Sequence, residues 1–359
     1  MGFECGIVGL PNAGKSTLFN AITATSLAQT ASYPFCTIDP NKGSVNVPDN
    51  RLEMLARLAG SKIIIPSQIR FVDIAGLVKG ASQGEGLGNQ FLGHIREVDV
   101  IVHVVRCFEE NVEQPADPVS DVNVIETELL LADLQSIEKQ LANKKKKRGE
   151  DPEMIALMEK TAAMLADGKI LRREKFSPEE ASLMKQLHLL TIKPAMYVGN
   201  VPENDASAPK NNKFAQKLDE FLRDRGEKSE YVCAQFEAES AVLDYESRKE
   251  FLQSIGLNDT KMSSLIRLGY ELLNLRTFFT IGPKEAHAWT IKAGDNAAEA
   301  AGAIHSDFQR GFISAEVISY EDYEKHKTHA EIKAAGKLRT ESRDYIVQDG
   351  DVILFRFNV

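Results

Sequence analysis

No run of about 18 consecutive apolar residues occurs in the 359-residue chain, so no segment is long enough to cross a bilayer as a helix. No secretory leader pattern precedes the first strand-like stretch, and Gly6 stands where a myristoylation signal needs Ser or Thr. A cytoplasmic location with no membrane partner is expected. Cysteine is scarce as well: Cys5, Cys36, Cys107 and Cys233 are far apart and form no CxxC pair, which speaks against a zinc ribbon or a disulfide framework and for reduced, packing thiols. Positive charge is short. The 43 Lys and Arg are outnumbered by 52 Asp and Glu, giving a net charge of −9, so bulk attraction to nucleic acid is excluded and any such contact needs a local patch. Hydrophobic residues make up 43%, enough for packed cores, and the length calls for two or three domains.

What is present centres on Gly9-Leu10-Pro11-Asn12-Ala13-Gly14-Lys15-Ser16-Thr17. It fits the P-loop pattern GxxxxGKS/T, with a short apolar stretch before it and helix-forming sequence after it. In this pattern backbone N–H groups curl around a triphosphate, and the following helix points its positive end at the same anion. Lys15 is expected to reach the β- and γ-phosphates while facing solvent without ligand, and Ser16 to ligate Mg²⁺.

Further along, a Pro-broken loop carries Thr37, and Arg51 to Ala59 looks like a short helix. Ile69 to Gly76 is a buried strand ending in DxxG, where Asp73 holds Mg²⁺ through water and the Gly76 N–H meets the γ-phosphate. The glycines that follow (Gly80, Gly84, Gly86, Gly88) mark a switch loop ordered by γ-phosphate contacts. Asp99 to Cys107 is a continuous apolar strand of a parallel sheet, with His103 expected as a satisfied core histidine.

From about Val124 the pattern turns helical. Leu130, Leu134, Ile137 and Leu141 recur at 4-3-4 spacing, and Ile155, Met158, Ala162 and Leu165 at 3-4-3, predicting an antiparallel helical hairpin. Lys144 to Arg148 gather five cations at its tip, either a solvated turn or a phosphate contact. Ser177-Pro178-Glu179-Glu180 predicts a capping box. Ala195 to Asn200 returns to buried-strand character, and Tyr231 to Ala234 adds another strand. Where GTPases carry NKxD, this chain has Asn200-Val201-Pro202-Glu203. Glu203 is one methylene too long for the two-point guanine grip, and a carboxylate repels adenine N1. Adenine is admissible if Glu203 turns away and Asn200, which both donates and accepts, reads the base. The remaining segment predicts a small mixed β-grasp, with strands at Thr277 to Ile281 and Ala288 to Ile291, a helix at Asn296 to Phe308, and a hairpin over Tyr345 to Leu354 turned by Asp349-Gly350. His326 and His329 lack a third ligand nearby, so no metal is expected there.

With GLPNAGKST, FCTIDPN, FVDIAGLVKGA, GEGLGNQF, HVVRCF, ETELLLADL, the NxxE at Asn200 and the tail DYIVQDGDVILFRFNV in order, the chain resembles the YchF/Obg-like ATPases over essentially its whole length. The resemblance implies an α/β fold: a Ras-like P-loop nucleotide domain (1–123 and 191–276), an inserted α-helical coiled-coil arm (124–190) and a C-terminal TGS domain of β-grasp form (277–359). It further implies Mg²⁺-dependent ATP hydrolysis in preference to GTP, slow without a partner, and association with the ribosome, its large subunit or the whole particle. RNA is a candidate partner for the arm tip, Lys144 to Arg148. An Obg-type GTPase, or a ribosome-binding module whose hydrolysis is incidental, are the alternatives.

Position by position, Asn12, Ala13, Gly14, Lys15, Ser16 and Thr17 match the phosphate cradle, Ser16 and Thr37 the Mg²⁺ ligands, Asp73 and Gly76 the switch anchor, and Asn200, Val201 and Glu203 the base-reading strand end. Lys15, Asp73 and Gly76 are the candidate catalytic residues. Leu77 stands where many relatives of the fold position water with Gln, and Glu109 to Pro115 lack the His that bacterial members carry there. Asn12 matches the position whose amide oxygen holds K⁺ in similar P-loop proteins. Cellular process, oligomeric state, turnover rate and ribosomal contact site are not encoded in any of these motifs.

Overall fold

The computed structural model describes residues 3–30, 41–74, 87–109, 115–146, 151–257 and 260–358. Thr37, Gly76, Leu77, Lys147, Arg148 and most of the Glu109 to Pro115 loop lie outside the described residues. Twelve strands are described: β1 Glu4–Val8, β2 Lys42–Asn46, β3 Ile63–Ile65, β4 Gln68–Asp73, β5 Val100–Arg106, β6 Ala195–Asn200, β7 Ser229–Val232, β8 Leu275–Ile281, β9 Glu285–Lys292, β10 Phe312–Ser319, β11 Arg339–Glu341 and β12 Asp351–Phe357. The chain forms two compact units, Glu4–Val45 with Arg70–Leu265, and Asn46–Ile69 with Ile266–Val359.

In the first unit the sheet order is β2-β4-β1-β5-β6-β7, with β4, β1, β5, β6 and β7 parallel. Every residue of β5 and β6 is buried, as their predominantly apolar sequences require of strands covered on both faces. His103 on β5 is 2% exposed. Burial first, and the Arg172 charge next, push its pKa down to about 3, so the ring is neutral. It packs 5.5 Å from the Tyr197 ring. The hydrogen bond expected of a satisfied core histidine is missing at Nε2, which is buried without a partner.

The helical hairpin is present as Pro118–Lys146 and Pro152–Ala166. Ile137 on the first helix meets Met154, Leu157, Met158 and Leu165 on the second. The buried stripe of the second helix is therefore Met154, Leu157, Met158, Thr161 and Leu165, which keeps Met158 and Leu165 and replaces the expected Ile155 and Ala162 by their preceding neighbours; Thr161 fits because its hydroxyl donates back to the Leu157 carbonyl at 2.7 Å. The first helix begins before Val124, and its root is part of the sheet's own core: Val122, Ile125 and Leu129 pack with Ile101, Val105 and Tyr197. Ser177 and Glu180 form the expected capping box.

A buried charge cluster also joins the root. Glu126 Oε1 accepts from Arg172 and Arg173, both at 2.5 Å, and from the Tyr197 hydroxyl at 2.6 Å. The same two arginines reach Glu227 at 2.6 Å. Burial alone would raise the Glu126 pKa, but the guanidinia and the Tyr197 hydroxyl outweigh it and hold it below the usual carboxylate range.

In the second unit the sheet order is β11-β10-β12-β8-β9-β3, mixing parallel pairs (β12 with β8, β3 with β9) and antiparallel ones. Residues Asn46–Ile69 fall here, although they precede the DxxG strand and the sequence reading placed them with the nucleotide part. The helix Asn50–Ala59 presents Leu52, Leu55 and Ala56 to Phe279, Ala286 and Val352. Asp349-Gly350 does not turn a hairpin. Ile346 makes only an isolated bridge to Asn296, and β12 starts after the turn to pair with β10 and β8. The reason is local: Asp349 Oδ1 accepts from the Thr277 N–H at 2.8 Å and its Oδ2 pairs with Arg51 at 2.7 Å, while Gly350 takes φ +90°, so the turn is tied to β8 instead of to its own preceding segment.

Candidate functional site

β1 delivers the loop to the carboxyl end of a parallel sheet, where β5, β6 and β7 also end and where ligands of open α/β sheets bind. Gly14 has φ +90°, and a Cβ there would run into the Asn200 carboxamide, so only glycine lets the loop pass this close to β6. Asn12 has φ +64°, a left-handed conformation that Asn tolerates better than other side chains.

Lys15 opens the helix Lys15–Thr30 and is 9% exposed. Its Nζ donates to the Leu10 carbonyl at 2.7 Å, so it is not solvent-facing as the sequence reading expected. Burial lowers its pKa, and nearby Asp73 partly offsets this. Asp73, at the end of β4, is shifted upward by burial against the pull of Lys15. Its Oδ1 is buried with no hydrogen-bond partner among the described residues, as a group waiting for a cation or its water would be. With the exposed Ser16 hydroxyl at the helix start, these donors fit Mg²⁺, a hard ion that takes oxygen ligands and keeps several waters.

A cleft of about 600 Å³ runs from Asn12, Gly14 and Thr17 to a far end made by Phe108, Val201, Pro202, Glu203 and Gln235, a size suited to a nucleotide. Asn200 occupies the middle. Its Nδ2 donates to the Ala13 carbonyl at 3.1 Å and its Oδ1 accepts from the Ala234 N–H at 3.0 Å, so its amide ties the P-loop to the end of β7. The second Nδ2 hydrogen and one Oδ1 lone pair remain for a ligand. Val201 is 2% exposed and belongs to the core, whereas Glu203 is exposed. Phe108, Cys233 and Gln235 were missed as lining residues; the available signal was their place just after strands that end beside the P-loop.

Two family models match the chain: one described as a 50S ribosome-binding GTPase over residues 4–160, and one for the C-terminal domain of YchF-type GTPases, described as a protein of unknown function, over residues 275–358. Among curated proteins, the "Ribosome-binding ATPase YchF" of Escherichia coli O157:H7 is 48% identical and that of Bacillus subtilis 47% identical, each over 100% of both chains. Among solved structures, the Schizosaccharomyces pombe YchF GTPase superposes with a TM-score of 0.89 at 36% identity, covering 99% of this chain and 97% of that one.

Proposed function

The chain belongs to the YchF family, and from that premise we propose that it is a cytoplasmic, ribosome-binding P-loop ATPase that hydrolyses ATP to ADP and phosphate with Mg²⁺, its nucleotide state setting how it engages the ribosome. The names of the relatives divide between ATPase and GTPase. The far end of the cleft supports ATP: Val201 is core, Glu203 is exposed, and Asn200 is engaged on both sides, so no aspartate stands ready to grip guanine N1–H and N2. Base reading then falls to the remaining N–H and oxygen lone pair of Asn200 and to backbone groups around it.

The loop N–H groups hold the β- and γ-phosphates, and Lys15 exchanges the Leu10 carbonyl for phosphate oxygens. Ser16, Thr37 and Asp73 would hold the Mg²⁺, which when bound would supply positive charge beside the phosphates. Gly76 meets the γ-phosphate. Leu77 offers no polar atom to orient water, so turnover without a partner is slow. The arm-tip cations are proposed to meet ribosomal phosphates, although Lys145 already pairs with Glu159 at 2.6 Å.

ATP and GTP titrations of the nucleotide-free protein, with phosphate release measured with and without ribosomes, test this reading. ATP is expected to bind more tightly than GTP, and Glu203→Asp with Val201→Lys, which restores a two-point charged guanine contact worth ~1.5 to 3 kcal/mol, is expected to raise GTP affinity about ten- to a hundredfold. Ribosomes are expected to raise turnover and to co-sediment with the protein, and changing Lys144 and Lys146 to Gln is expected to weaken that binding mainly at low salt, with a shallower salt slope. Tighter GTP binding overturns the ATP assignment; no co-sedimentation overturns the ribosome assignment.

Asn12 is proposed to place its amide oxygen on a K⁺ beside the phosphates, doing the work of an arginine finger. Its φ of +64° makes Asn12→Ala a poor test, because alanine strains the loop whatever the amide does. Asn12→Gly keeps the backbone and removes the amide. Turnover in K⁺ is expected to exceed that in Na⁺ at equal ionic strength for the wild type and not for Asn12→Gly; equal wild-type rates in the two salts remove the cation.

A further inference from the structure

The turn 190–194, which leads into β6, is gripped from two sides within the first unit. On one side stands the first helix of the hairpin. Its Asp133, 1% exposed, accepts from the Leu190 N–H, the Thr191 N–H and the Thr191 hydroxyl, each at 2.7 Å. The Thr191 carbonyl accepts from the Arg172 N–H at 3.0 Å, which ties the turn to the buried charge cluster as well.

On the other side lies the helix Leu87–Glu97. Lys193 Nζ donates to the Arg96 carbonyl at 2.9 Å and to the Val98 carbonyl at 2.5 Å, so its ammonium sits on the carboxyl end of that helix, where the helix dipole favours a cation. Burial lowers the Lys193 pKa, and the charges of Asp99 and Asp133 partly offset this. The carboxylate that grips the turn therefore also steadies the ammonium that caps the helix. The turn between them is braced: the Lys193 N–H donates to the Leu190 carbonyl at 3.1 Å, and the Ile101 N–H of β5 donates to the Pro194 carbonyl at 3.0 Å.

The helix Leu87–Glu97 is the first described element after the DxxG strand, and its Phe91, Leu92 and Ile95 share one core with Val72 and Ile74 of that segment. We propose that the turn 190–194 is the mechanical link between the γ-phosphate and the helical hairpin, with Lys193 as the positioning residue that passes a shift of the helix Leu87–Glu97 on to Asp133. The link rests on the nucleotide reading above, in which the γ-phosphate is met at Gly76, between Asp73 and this helix. Each step from the helix end to the hairpin is a short hydrogen bond or a buried charge, so a displacement at one end costs bonds at the other. A lysine that served only as a cap would stabilise the fold equally with either nucleotide bound.

Hydrogen exchange at the Leu190 and Thr191 amides, the two that donate to Asp133, reads the link in the full chain. Rates are taken with ADP and with the non-hydrolysable β,γ-imido analogue of ATP, both with Mg²⁺, and divided by those of the Met196 to Val198 amides of β6, which report opening of the whole unit. The wild type is expected to show a difference of about fivefold or more between the two nucleotides. In Lys193→Met, which keeps the stem volume and drops the charge, the difference is expected to vanish; in Lys193→Arg, which restores a cation with several donors, it is expected to return. Equal wild-type ratios with both nucleotides bound, or a difference that survives in Lys193→Met, overturn the link and leave Lys193 a helix cap. If Lys193→Met does not fold, Lys193→Gln, which keeps a donor and loses the charge, takes its place under the same criteria. Calorimetric titration of both nucleotides accompanies the exchange. If neither binds, the nucleotide reading fails and the link falls with it; if both bind and the ratios are equal, the link alone is refuted.

Discussion

Lys15→Met is expected to lower ATP turnover by at least about a hundredfold while leaving the protein folded. Removing one preorganised positive or hydrogen-bonding group from a charge-building transition state typically costs a factor of 10² to 10³, roughly 2.7 to 4 kcal/mol. Lys15 is the only P-loop side chain placed to supply that charge. The effect on stability is small for a different reason. In the structure Lys15 is a buried ammonium whose pKa burial has lowered, held by the Leu10 carbonyl and the field of Asp73. The substitution loses those two contacts but also removes the cost of burying a charge, and methionine refills the stem volume. Phosphate release and thermal unfolding measured on the same preparation check both halves. Turnover near wild type refutes the catalytic role; loss of the folded state refutes the account of the resting lysine.

The second large effect is expected at the arm root. Glu126→Ala removes the carboxylate shared by Arg172, Arg173 and the Tyr197 hydroxyl, leaving two buried guanidinia with Glu227 as their remaining acid. Breaking a buried pair on one side costs about 3 to 5 kcal/mol, because the surviving charges stay desolvated. Tyr197→Phe, which removes a hydroxyl that donates to Glu126 and accepts from Arg172 while leaving every charge paired, is expected to cost less, about 1 to 3 kcal/mol. Because the Glu126 pKa is depressed in the fold, its stabilisation is present above the ordinary carboxylate range and is lost as pH falls through the folded value. The difference between wild type and Glu126→Ala is therefore expected to shrink in acid. Hydrogen exchange at β6 amides, followed across pH, reads it out. A Glu126→Ala cost below about 1 kcal/mol at neutral pH would show that the cluster is solvated and weak.

These two sites were unequally legible in the sequence. The P-loop is contiguous, and each residue type in it answers a local demand: glycine where β6 comes close, lysine for phosphate charge, serine for the metal. The arm root is assembled from ion pairs that span 46 to 55 positions of the chain, and each of those charges alone looks like a solvated helix or loop residue. Nothing periodic marks them. Asn200 was legible as a residue of the site but not in its use, because a motif records which residue stands at a strand end and not that Ala13 and Ala234 consume its amide. The helical hairpin was legible from spacing, and the replacement of Ile155 and Ala162 by their preceding neighbours in its second helix was not, since a threonine in the buried stripe is invisible to an apolar pattern. Ile63–Ile65 shows a strand without showing which sheet it joins; its parallel partner begins at Glu285, far beyond the reach of local pattern.

That last pairing bears on the order in which the polypeptide is made. β3 and the helix Asn50–Ala59 leave the synthesising ribosome early, and the strands they complete follow only after the whole first unit has been translated. β12, the last strand described, lies between β10 and β8 inside the sheet. Until it emerges, Leu52 and Leu55 lack Phe279 and Val352 as neighbours. The second unit is thus encoded by no single contiguous stretch of gene, and a fragment beginning at Leu275 would start life without the helix that covers one face of its sheet.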